Sequence, residues 1–94
     1  MSKRGIDLIA AERQRQIEVE GFDEDHDALE STDDLVAAAV AYAMCDMPGN
    51  EVDNLPQNWP WDPVWWKPKN RRKNLVRAGA LIAAALDRMD EEEF

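Results

Sequence analysis

The sequence predicts an all-α fold: one small three-helix domain with an ordered Pro/Trp-rich loop between the second and third helices. Three observations carry this. Apolar residues recur at helical spacing in three separate runs, beginning near Asp7, Leu35 and Asn70. Ala supplies 13 of the 94 residues, while Leu, Ile, Val and Phe together supply only 19, so the core is shallow and closely packed. All five prolines and all four tryptophans fall between Pro48 and Pro68. A chain of 94 residues has room for one hydrophobic core, so residues 1–94 form a single domain.

The first helix runs from about Asp7 to Glu20. Ile6, Ile9, Ala10, Arg13 and Ile17 keep i, i+3, i+4, i+7, i+11 spacing, and Gly21 is placed to end it in a left-handed conformation. Ser31-Thr32-Asp33-Asp34 then offers a hydroxyl cap and early acids, which suit the positive end of a second helix. That helix continues from Leu35 to Met44 and stops before Pro48-Gly49. The third spans about Asn70 to Asp90, with Leu75, Gly79, Ile82, Leu86 and Met89 on one stripe. The acidic 90–94 tail is expected to fray. The Pro48–Pro68 segment reads as an ordered loop, because a flexible linker does not carry four indoles.

Ala37-Ala38-Ala39 and Ala83-Ala84-Ala85, with their Ala neighbours, make small-residue faces that bury little area each. At about 25 cal/mol per Å² of apolar burial a lone bundle of this kind is marginal. A homo-oligomer sharing the Ala faces is therefore expected.

Charge is divided along the chain. The formal net charge is −9, yet residues 63–94 are net basic, and Lys67 to Arg77 holds six cations and no acid. No Lys or Arg occurs between Gln16 and Trp66. Such a chain either clamps its basic segment onto its own acids or holds an external anion there. Its overall charge argues against nonspecific duplex nucleic acid as the partner. No apolar run approaches the roughly 18 residues of a membrane span, and no apolar stretch follows the basic start, so neither a span nor a secretory signal is expected. The single Cys45 excludes an internal disulfide and a multi-Cys zinc site, suggests a reducing cytoplasm, and reads as a small buried residue.

Two constellations could carry chemistry. Trp65, Trp66, Lys69, Arg71 and Arg72 lie where the loop meets the third helix, so indoles could stack on a base while cations hold its phosphate. Alternatively the indoles lid the Ala-rich bundle and the cations pair with the acids of 23–34. Glu18, Glu20, Asp23 and His26 form an oxygen-rich cluster that could hold Mg²⁺ or Mn²⁺, or simply make a solvated acidic loop.

Glu12-Arg-Gln-Arg-Gln16, Glu20-Gly21, His26-Asp27, Trp59-Pro-Trp61, Trp65-Trp-Lys-Pro68 and Leu75-Val-Arg-Ala-Gly-Ala-Leu-Ile82 together resemble a family of small phage and prophage proteins of unassigned function. The resemblance spans nearly the whole chain and implies a host cytoplasm, but no activity. The order of the Glu-Arg-x-x-Gln helix, the loop His and the late Leu-Val-x-Ala-x-Ala-Leu-Ile helix is also distantly similar to MazG-like all-α nucleoside triphosphate pyrophosphohydrolases. The Glu-Glu-x-x-Glu and Glu-x-x-Asp metal ligands of those enzymes have no positional counterparts here, since Leu35 to Met44 contains no acid.

Three functions are compatible with these features. The first is a phage-encoded accessory protein that binds a nucleotide or nucleotide-derived anion. The second is an acidic protein-binding module that inhibits a host factor. The third is a divergent metal-dependent nucleotide pyrophosphohydrolase.

Overall fold

The computed structural model describes residues 4–19, 31–45, 47 and 55–92. Among them are three α-helices, α1 (Gly5–Val19), α2 (Thr32–Met44) and α3 (Arg71–Glu92), and one 3₁₀ turn (Pro63–Trp65). The fold is all-α, and the described residues contain no strand. No helix among them is long and apolar enough to cross a membrane.

Local chemistry sets the helix starts. Ser31 is the N-cap of α2, and its Oγ accepts the Asp34 N–H at 3.0 Å. Asn70 does the same for α3, its Oδ1 accepting the Lys73 N–H at 2.8 Å. The α3 helix runs to Glu92. Gly21, expected to end the first helix, lies outside the described residues.

α3 is the middle element and packs against both α2 and α1. Leu35, Ala38, Ala39 and Tyr42 of α2 meet Ala78, Leu81, Ala84 and Ala85 of α3, all of them buried. Small side chains on both helices let the two backbones approach closely. Trp59, Trp61 and Trp66 then pack against this cluster and supply the bulk that the helices lack. Cys45 is buried at the end of α2.

Most of the Ala residues of the two faces, Ala38, Ala39, Ala41, Ala78, Ala80, Ala84 and Ala85, are buried within the single chain. The larger α3 stripe of Leu75, Ile82, Leu86 and Met89 is instead exposed. The reason is steric: a close α2–α3 contact admits Ala on both sides and excludes rows of facing Leu and Ile.

On its other side α3 meets α1 at Gly79. A Cβ there would sit 2.5 Å from Ile9 Cδ1, so the missing side chain is what lets α1 approach. An Arg13–Asp87 ion pair at 3.5 Å also joins these helices.

Candidate functional site

The loop from Leu55 to Asn70 is held by many specific bonds. Asn58 Nδ2 donates to the Ala37 carbonyl at 3.0 Å, which ties the loop to α2. Asp62 turns the chain: its Oδ1 accepts the Val64 N–H at 2.9 Å, while its carbonyl accepts the Trp59 indole N–H at 3.1 Å. With Pro63 at the first position, this produces the 3₁₀ turn.

Tyr42 anchors the segment after that turn. Its hydroxyl accepts from the Lys67 N–H (3.2 Å) and from Arg77 Nη1 (3.3 Å), and donates to the Trp65 carbonyl (3.5 Å). Its ring lies 4.8 Å from Trp66 and 5.6 Å from Trp59, centroid to centroid. Trp59 in turn meets Trp61 edge-on at 5.4 Å and Trp66 at 5.0 Å. Arg77 covers the Tyr42 ring at 5.2 Å and donates to the Lys67 carbonyl at 3.1 Å.

The charge on Arg77 is answered by Glu12 of α1, at 3.7 Å. Burial pushes the Glu12 carboxyl up. The hydrogen bonds and charge of Arg15, the charge of Arg77 and a hydrogen bond from Gln16 more than offset this, so Glu12 titrates below the ordinary carboxylate range. The buried Asn74 closes the clamp: its side chain accepts the Lys69 N–H at 2.7 Å and donates to the Lys69 carbonyl at 3.1 Å.

The five residues expected at an anion site divide between fold and surface. Trp66 packs into the aromatic cluster over the core. Arg71 Nη1 donates to the Cys45 carbonyl at 3.3 Å and so caps the end of α2. Trp65, Lys69 and Arg72 are exposed. Trp65 is 60% exposed, and Lys67 Nζ sits 5.4 Å above its ring. An outward indole bearing a cation is thus mounted on a backbone fixed at residues 65, 67 and 69.

Of the four residues proposed as metal ligands, Glu20, Asp23 and His26 lie outside the described residues. Glu18 is exposed on α1 and accepts a hydrogen bond from Gln14 at 2.8 Å. Among the described residues no group of three His, Cys, Asp or Glu side chains is placed to hold a metal.

Sequence reasoning missed Tyr42, Asn74 and the Glu12–Arg77 pairing. A lone Tyr in an Ala run and a lone Asn on a core-facing stripe were the available signals, because each buried polar group needs a partner. Compared with known families, curated proteins and solved structures, the chain has no match.

Proposed function

We propose that the surface around Trp65, Lys67 and Lys69 binds a planar anionic small molecule of the nucleotide class. The observation that carries this reading is the difference between neighbours. Trp59, Trp61 and Trp66 pack inward, whereas Trp65 faces solvent with a lysine over its ring. Its main chain is held by the Tyr42 hydroxyl, so an exposed aromatic platform is presented with its ordering cost already met by the fold. Stacking of one base on such a platform contributes about 1–3 kcal/mol. The lysines supply the charge for a phosphate, and Arg71 is left to its structural bond with Cys45. On this reading the chain is an accessory nucleotide binder.

A thermal-shift panel of nucleotides and cyclic dinucleotides, with and without Mg²⁺, tests the proposal. A nucleotide should raise the melting temperature without metal. Trp65→Ala should abolish that rise while leaving the melting temperature of the free protein nearly unchanged. Stabilisation that requires Mg²⁺ and is accompanied by phosphate or pyrophosphate release would replace binding with the hydrolase reading. No response to any nucleotide would leave the acidic protein-binding module.

A further inference from the structure

The exposed stripe on α3 has the geometry of a helix–helix seam. Leu75, Gly79, Ile82, Leu86 and Met89 succeed one another at spacings of four, three, four and three residues, the heptad repeat of paired helices. Gly79 is taken by Ile9 of α1. The four large residues are 44%, 50%, 58% and 42% exposed in chain order. These four form a half-exposed row on α3 beside the position that α1 covers at Gly79.

The charges along α3 identify what fits this row. Its first turn is basic (Arg71, Arg72, Lys73) and its last turns are net acidic (Asp87, Asp90, Glu91 and Glu92 against Arg88), and Arg72 and Asp90 flank the two ends of the stripe. A second α3 laid alongside in the same direction would set cations against cations and acids against acids. Laid in the opposite direction, it sets each basic end against an acidic end. The same reversal brings Leu86 of one copy opposite Leu75 of the other, with the two Ile82 side chains near the centre.

We propose that two copies of this chain associate through an antiparallel α3–α3 contact, with the Leu75–Met89 stripe as its apolar seam and Arg72 facing Asp90 at both ends. Trp65 and Lys67 are not part of this stripe.

Analytical ultracentrifugation of the full chain tests this. The wild type should sediment at twice the 10.7 kDa chain mass at sub-millimolar concentration. Ile82→Asp, at a half-exposed position, should give the single-chain mass with its helical circular dichroism intact. Arg72→Glu and Asp90→Arg should each weaken association a few-fold, and their combination should restore it, because both end pairs are re-formed with signs exchanged. A wild type at the single-chain mass, or an Ile82→Asp protein that remains dimeric, overturns the proposal. A double charge variant no tighter than either single one overturns the antiparallel order.

Discussion

The hydroxyl of Tyr42 holds the Trp loop at Trp65 and Lys67, while its ring stacks on Trp66 and carries the Arg77 guanidinium. Tyr42→Phe keeps the ring and removes only the oxygen, leaving the part-buried Lys67 N–H without its acceptor. A loss of about 1–3 kcal/mol in urea unfolding is expected; a change of a few tenths would mean that water replaces the hydroxyl freely. Glu12 gives a prediction in pH. Its carboxyl titrates low in the folded protein, so its contribution is present above the ordinary carboxylate range and is lost as pH falls through its own lowered value. Glu12→Gln removes that contribution. The stability gap between wild type and Glu12→Gln should be widest near neutrality and close on acidification. A gap independent of pH would show that packing, and not charge, is what Glu12 supplies.

At the level of elements, the α1–α3 contact depends on Gly79. A glycine inside a helix ordinarily costs about 1 kcal/mol against Ala, so Gly79→Ala should stabilise α3 taken alone. In the folded protein the new Cβ would meet Ile9 Cδ1 at 2.5 Å and Ile9 Cγ1 at 2.8 Å. Overpacking of about 1–3 kcal/mol then outweighs the propensity gain, and Gly79→Ala should destabilise. The sign should reverse in an Ile9→Ala background, where the space is free. A double-mutant cycle reads this directly, and additive effects would show that the two residues do not press on each other. The helices themselves were largely legible in the sequence. Ser31 begins α2 as its cap, α2 ends at Met44 as read, and the spacing places α1 and α3 to within two residues at each end.

Across the whole molecule, the Trp loop substitutes for the aliphatic core that the helices lack. Trp66 lies over Tyr42 and the Ala cluster, whereas its neighbour Trp65 lies outside it. Trp66→Ala should therefore cost about 3 kcal/mol, and Trp65→Ala should stay within about 0.5 kcal/mol of wild type. Parallel thermal melts check the contrast, and equal losses would mean that both indoles support the core.

The sequence by itself determined the all-α class and the helix positions, because caps, periodicity and proline act over a few residues. It also marked where indoles and cations meet. Which of two adjacent α3 stripes turns inward was decided only by tertiary structure. By hydrophobicity the Leu75–Met89 stripe is the stronger candidate, yet the Ala78–Ala85 stripe is buried. The Ala face of α2 and the bulk of three tryptophans make the close contact the better packed one. The opposite fates of Trp65 and Trp66 were decided the same way, by a Tyr42 hydroxyl 23 residues away along the chain from Trp65 that periodicity cannot reveal.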